Sequence, residues 1–211
     1  MRSLALLMAW FVMAVPSLDA QRRTQRKPPP PAPKREPAKV TCPEVLGVGV
    51  KTRQNFCFVL AGRDPAAGVL VAIPPHTGNA TLTFDLHNRH TYSEEEVKAG
   101  RGFARYAAVI GVLTMTGDLL GRGAVESEFR RARDLYDRIS GGAGPGGVKA
   151  VAPVGRQEVT ITIPPKIEQV SLLGEVLEAR TSAGREVASP GRPVALVSNV
   201  QLEYQPAPPR R

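Results

Sequence analysis

Hydrophobic and polar residues alternate along much of the chain with the two-residue period of a β-strand. The clearest case is the stretch 79–87, where Leu82, Phe84 and Leu86 alternate with threonine, aspartate and histidine. Successive side chains of a strand point to opposite faces, so this stretch is predicted to be a strand with one buried face. The continuous apolar run 69–73 is typical of a strand buried on both faces.

Two proline pairs separate neighbouring strand patterns in the same way. Pro74-Pro75 closes the apolar run just described, and Pro164-Pro165 closes the alternating run 158–163. Proline cannot donate a hydrogen bond to a strand ladder, so each pair should end a strand at an edge or corner. Two such breaks predict two strand corners in one mainly β domain. The expected fold is an antiparallel β-sandwich of the jelly-roll or immunoglobulin-like kind.

Further strand patterns cover residues 45–50, 56–60, 107–113, 170–179, 186–188 and 194–204. One amphipathic helix is expected to pack on the sandwich, because a set of apolar residues recurs at spacings of three and four. These residues are Val125, Phe129, Ala132, Tyr136 and Ile139. A capping-box sequence at 93–96, followed by a glycine at position 100, predicts a second, short helix.

A glycine-rich segment follows the amphipathic pattern. Residues 141–147 formally match G-x-G-x-x-G. The dinucleotide-binding fingerprint follows a strand and opens a helix, whereas this segment follows a helical pattern and precedes a strand pattern. A loop is therefore expected here.

The first twenty residues have the order of a secretory signal peptide. Arg2 is followed by the apolar run 4–15 and then by a region ending in the small residue Ala20. An uncleaved membrane anchor is the alternative, but the apolar run is shorter than the ~20 residues of a spanning helix. Residues 1–20 are thus interpreted as a signal peptide. The protein is expected to be secreted or periplasmic, with no transmembrane span after cleavage.

Residues 21–40 are rich in proline and in basic residues and have no apolar periodicity. They are expected to form a tether, followed by a β-sandwich domain at 41–205 and a disordered tail at 206–211. The tether is either a solvated spacer or a contact for an anionic surface. The basic residues assigned to that contact are Arg22, Arg23, Arg26, Lys27, Lys34 and Arg35.

The net charge of +9 comes mainly from this segment and from the two C-terminal arginines. A basic patch on the folded domain is therefore not implied, and no nucleic-acid partner is expected. Cys42 and Cys57 are the two cysteines of the chain. In an exported protein such a pair predicts a disulfide, and two free buried thiols are the alternative.

The three histidines lie in one 15-residue span beside an aspartate, at His76, Asp85, His87 and His90. Asp85 and His87 would share one face of a strand, and His90 could fold back over it. These are acceptable ligands for zinc or a similar metal. A solvated polar sheet face explains the same residues, so no metal site, catalytic residue or cofactor is assigned.

These observations favour a non-enzymatic binding or structural module of the cell envelope or exterior. Its expected partner is an envelope polymer or another exported protein. The alternative is a metal-dependent or carboxylate-based hydrolase that uses Asp85, His87 and His90. A third interpretation is an adaptor that holds a larger complex through the basic tether.

Overall fold

Two six-stranded antiparallel sheets face each other in a sandwich. The computed structural model describes residues 32–139 and 150–208. The strands are β1 (Lys34–Pro37), β2 (Lys39–Thr41), β3 (Val45–Val48), β4 (Asn55–Leu60), β5 (Val69–Ala72), β6 (His76–Tyr92), β7 (Ala104–Thr114), β8 (Leu119–Phe129), β9 (Ala150–Ile163), β10 (Gln169–Thr181), β11 (Gly184–Val187) and β12 (Pro193–Pro206). Sheet I has the order β3-β4-β12-β6-β9, with β1 beside β12. Sheet II has the order β2-β5-β10-β7-β8, with β11 beside β10. The predicted β-sandwich is confirmed.

The main core lies between the sheets and follows the alternation seen in the sequence. Leu82, Phe84 and Leu86 of β6 are fully buried and pack in one cluster with Ile110 of sheet II and Val197 of sheet I. Burial of such side chains stabilises the fold by roughly 1.5–3 kcal/mol each relative to exposure. The period of two thus selects which face of the strand points into the core.

Both proline pairs lie where the chain passes from one sheet to the other. Pro74-Pro75 separates β5 of sheet II from β6 of sheet I, and Pro164-Pro165 separates β9 of sheet I from β10 of sheet II. The two corners are neighbours, since one ring nitrogen of His76 lies 3.0 Å from the Pro74 carbonyl oxygen and the other lies 3.4 Å from that of Pro164. The prediction of two strand corners is confirmed.

The amphipathic helix predicted at 125–139 is wrong. Residues up to Phe129 form β8, in which Val125 pairs with Ala108 and Phe129 pairs with Ala104 of β7. A spacing of four residues returns to the same face in a strand as well as in a helix, so these two positions fit either period. Between β8 and residue 139, the last described residue before the gap, the chain makes a 3-10 turn at Ala132–Asp134.

The short helix predicted after Tyr92 is present as α1, Glu94–Lys98. Ser93 is its N-cap, and the Ser93 hydroxyl accepts a hydrogen bond from the Glu96 amide at 3.4 Å. The first turn carries three glutamates and the last turn a lysine, which complements the helix dipole.

The predicted tether, residues 21–40, includes residues that belong to the folded domain. β1 pairs with residues 201–204 of β12 in sheet I, and β2 pairs with residues 70–72 of β5 in sheet II. Residues 34–41 therefore cross from one sheet to the other. Backbone pairing at an edge needs no apolar pattern, and charged edge strands are common, which is why this segment resembled a linker. Tyr204 anchors it by donating a hydrogen bond to Glu36 at 2.7 Å.

The predicted disulfide is present. Cys42 immediately follows β2 of sheet II, and Cys57 lies in β4 of sheet I, with their Cα atoms 5.4 Å apart. That separation is ordinary for a disulfide. The bond therefore joins the two sheets covalently at the edge where the N-terminal strands cross.

Several predictions concern residues outside the described ranges. These are the signal peptide, the tether up to residue 31, the glycine-rich loop and the last three residues of the tail. Within the described ranges, the chain contains no helix with the length and apolar character needed to cross a membrane.

Candidate functional site

A bulge in β12 opens a groove on sheet I. Ser198 pairs with Asp85, but the next pair along is Gln201 with Thr83, so β12 has one residue more than β6 in this interval. Asn199 adopts a left-handed backbone conformation with φ of 51°, which asparagine tolerates better than most residues. Such bulges re-aim side chains and interrupt pairing.

The groove forms because two short strands share one side of β12 without meeting. β4 pairs with β12 before the bulge and β1 pairs with it after the bulge. Between them lies a groove of about 700 Å3. Four side-chain amides line it, from Gln54, Asn55, Asn199 and Gln201, together with apolar side chains and the disulfide. Each amide can both donate and accept hydrogen bonds, so the surface suits a polar ligand.

One chain of polar contacts runs from buried Asp85 to the groove. The Asn199 amide donates to Asp85 at 3.2 Å, and the Gln201 amide donates to Asn199 at 3.3 Å. Arg156 forms an ion pair with Asp85, with Nε 2.9 Å from Oδ1. Asp85 is only 1% exposed, so these partners take the place of water around its side chain. The contacts hold two of the groove amides in place.

A second polar chain begins at His87, whose side chain is fully buried. Its Nδ1 lies 2.7 Å from the Gly155 carbonyl oxygen and its Nε2 lies 2.9 Å from Ser198 Oγ. Burial lowers the pKa of His87, so the ring is neutral at pH 7. Nδ1–H then donates to Gly155, and Nε2 accepts from Ser198. Gln54 Oε1 lies 3.2 Å from Ser198 Oγ, and Gln54 lines the groove.

The segment that follows β8 covers this face of sheet I. The Tyr136 ring lies 4.5 Å from the His87 ring, and the Tyr136 amide donates to the Pro153 carbonyl at 2.9 Å. Asp137 fixes the segment by accepting hydrogen bonds from the amides of Lys51 and Thr52, at 3.0 and 2.8 Å. Burial works against ionisation of Asp137, but the hydrogen bonds from Thr52 and Lys51 leave its pKa lowered.

The solvated polar face that the sequence suggested around His87 is therefore wrong. Asp85 and His87 do point away from the core between the sheets, as the alternation requires. They are nevertheless buried, because residues some fifty positions later in the chain pack over them. The alternation of a strand identifies its two faces but not what covers the outer one.

The structure does not bring the three candidate histidines together. β6 continues without a break to Tyr92, so His90 lies on the face opposite to Asp85 and His87. His90 points between the sheets, where its Nδ1 lies 2.7 Å from Tyr106 Oη. His76 is nine residues from Asp85, roughly 30 Å along the strand. In the described part of the chain, no three His, Cys, Asp or Glu side chains group closely enough to hold a metal ion.

Ser198 and His87 have the functional groups of a catalytic nucleophile and its base, but a substrate has no access to them. Ser198 is 1% exposed, so a substrate cannot reach Oγ in this structure. The group that orients His87 is a backbone carbonyl rather than a carboxylate. The pair is better described as support for the groove. Sequence reasoning missed it, although Ser198-Asn199 interrupts an apolar run, which is a signal for a bulge.

The basic residues assigned to an anionic surface are only partly described. Lys34 and Arg35 lie in β1, where Lys34 Nζ is 2.5 Å from Glu36 Oε2 and Arg35 is exposed. The other four precede residue 32. Lys34 is therefore partly neutralised within its own strand.

The comparisons with known proteins give little further information. No protein-family model matches the chain, and no curated protein matches it. Among solved structures, a chain of the crystal structure of the infectious bursal disease virus VP2 subviral particle is similar, with 14% identity and a TM-score of 0.24. The match covers 82% of this chain and 32% of that chain, so this chain spans about a third of its length. A TM-score this low carries no argument.

Proposed function

We propose that this protein is a secreted or periplasmic, non-enzymatic binding module of the cell envelope or exterior. The groove at the bulge of β12 is its contact surface, and a polar envelope polymer is its ligand. The observation that carries this proposal is the set of amides from Gln54, Asn55, Asn199 and Gln201 along a groove of about 700 Å3. Amides in such a row match the hydroxyl, amide and carbonyl groups of a polysaccharide or peptide chain.

Preorganisation supports a binding function for this groove. The Asn199 amide donates to buried Asp85, and the Gln201 amide donates to Asn199. The disulfide in the groove wall joins Cys42 to β4. A surface that is already ordered loses less conformational entropy when a ligand binds.

Export is supported by two features of the chain. Residues 1–20 have the order of a signal peptide, and Cys42 and Cys57 form a disulfide, which persists in oxidising compartments. Mass spectrometry of secreted or periplasmic protein should find an N-terminus close to Gln21. A species that retains Met1 in the cytoplasm would contradict export.

The binding function is tested by co-sedimentation of the exported protein with the insoluble polymer fraction of its own envelope. The double variant Asn55→Ala/Gln201→Ala should weaken binding by about tenfold or more. Asn79→Ala changes an exposed asparagine at the far end of β6 and should bind as the wild type does. Equal binding by both variants would show that the groove is not the contact surface.

The same assay separates binding from hydrolysis. Sustained release of soluble fragments from the polymer, abolished by His87→Gln, would replace the binding module with the hydrolase alternative. If the assay captures another exported protein in place of the polymer, the partner of the groove is a protein. Fragment release would overturn the non-enzymatic function, and capture of a protein would overturn the polymer as ligand of the groove.

A further inference from the structure

A second cavity lies between the sheets, at the end where α1 closes the sandwich. Its volume is about 320 Å3. Its walls come from α1 and from strands of both sheets, and they share no residue with the groove. The apolar part of the lining includes Val97, Phe103, Phe129 and Leu177. The rest of the lining is largely polar, so apolar side chains and polar groups converge on one space, as they do in small-ligand sites.

Arg89 is the unusual residue of this lining. Its side chain is partly buried, and its Nε is fully buried without a hydrogen-bond partner. The guanidinium makes no ion pair with any residue in the described ranges. The carboxylates nearby are Glu96, which Arg101 holds at 3.0 Å, and the exposed Glu186. A buried N–H group without an acceptor is costly, so the Nε–H of Arg89 is a donor that a ligand can satisfy.

His90 adds a hydrogen-bond donor beside this cation. It is only 4% exposed, and its Nε2 has no hydrogen-bond partner among the residues that the structure describes. Burial, with a smaller effect from Arg89, lowers the pKa of His90 to about 4, so the ring is neutral at pH 7. Tyr106 Oη lies 2.7 Å from Nδ1, and we assign the ring proton to Nε2, with the Tyr106 hydroxyl donating to Nδ1. Buried donors are rarely left unpaired in proteins.

We propose that this cavity binds a small apolar monocarboxylate, whose carboxylate pairs with Arg89 and approaches His90 Nε2 while its apolar body packs against Phe129 and Leu177. A planar guanidinium holds a carboxylate with two parallel hydrogen bonds, and the charge on both partners strengthens them. The neutral amide of the same acid lacks the charge that Arg89 requires. Recognition therefore depends on the ionised carboxylate.

The test uses benzoate as the probe and benzamide as its neutral isostere. Purified full-length protein is titrated with each compound up to about 20 mM while amide NMR signals are recorded. Benzoate should shift the signals of residues around 89–106 and 177–179 in a saturable way. Benzamide should bind at least about tenfold more weakly. This comparison uses the wild type alone, so it does not depend on whether a variant folds.

A matched pair of arginine variants tests the role of the cation. Arg89→Gln should weaken benzoate binding by at least about tenfold. Arg105→Gln changes an exposed arginine beside Tyr106 that does not line the cavity, and it should leave binding unchanged. The proposal is overturned if benzoate produces no saturable shifts, if benzamide binds equally well, or if Arg89→Gln has no effect.

Discussion

Nε2 of His87 lies 2.9 Å from Oγ of Ser198, across strands that are 111 residues apart in sequence. The second ring nitrogen is held by the Gly155 carbonyl of β9 at 2.7 Å. His87 therefore links three neighbouring strands of sheet I through a single ring. Phe56 and Tyr136 pack against that ring and exclude water from it.

Replacing His87 with alanine should destabilise the fold by about 2–4 kcal/mol, because it leaves two buried polar groups unpaired and creates a cavity. Chemical denaturation of the exported protein measures this loss. His76→Ala, on the same strand but only partly buried, is the matched control and should cost less than about 1 kcal/mol. Equal losses for the two variants would contradict a structural role for the His87 network.

Acid should destabilise the protein over a defined pH window through His90. Its pKa is lowered from 6.5 to about 4 by burial first and Arg89 second. The unfolded chain therefore binds a proton before the folded protein does. The resulting stability is fully present above pH 6.5 and is lost as the pH falls towards 4, by at most about 3 kcal/mol. His87 acts in the same direction, because burial lowers its pKa as well.

Urea denaturation at pH 7 and at pH 4.5 measures this effect. The variant His90→Gln removes the titrating group, so its free energy of unfolding should change less between the two pH values than that of the wild type. Carboxylates titrate in both proteins and cancel in the comparison. An unchanged pH dependence in the variant would show that His90 is not the group responsible.

Loss of the disulfide should cost about 2–5 kcal/mol of stability. Cys42→Ala is the appropriate variant, because Cys42 is less buried than Cys57 and its removal disturbs packing less. Thermal denaturation of the variant should resemble that of the wild type in the presence of a reductant. If the reductant leaves the wild type unchanged while the variant is destabilised, the effect comes from packing rather than from the bond.

Two truncations should differ sharply in stability. Deleting residues 22–31 removes none of the described strands, so the melting temperature should stay unchanged. Deleting residues 22–40 removes β1 and most of β2, together with the Glu36 acceptor of Tyr204. This second deletion should lower the melting temperature strongly or abolish folding. Equal melting temperatures would show that the N-terminal strands contribute nothing.

The shorter truncation also tests the basic segment as a contact. It removes Arg22, Arg23, Arg26 and Lys27, so binding to anionic resin or vesicles at low salt should largely disappear. The charge reversal of Arg35 to Glu, on exposed β1, should have a smaller effect. Retained binding by the truncated protein would place the anionic contact on the sandwich.

The strands predicted from the sequence are those in which the alternation of apolar residues matches the face that the structure buries. Leu82, Phe84 and Leu86 alternate because one face of β6 meets the core, and the proline pairs end strands because they lack an amide proton. Ser93 and Glu96 are only three residues apart in sequence, so the cap of α1 is also a local property. The disulfide followed from the number of cysteines and from the signal-peptide pattern.

The sequence by itself thus determined the fold class, the sheet corners, the short helix and the cysteine pair. Each of these depends on residues that are near one another along the chain. Only the tertiary structure decided that β8 is a strand, that residues 34–41 join both sheets, and that His90 faces away from His87. It also placed Ser198 and Asn199 beneath the groove and left Arg89 without an anion in the cavity. These outcomes depend on pairing and burial between segments that are distant in the chain, such as Tyr204 and Glu36, which are 168 residues apart. The pattern of apolar and polar residues along the chain does not show which distant segments pair with each other.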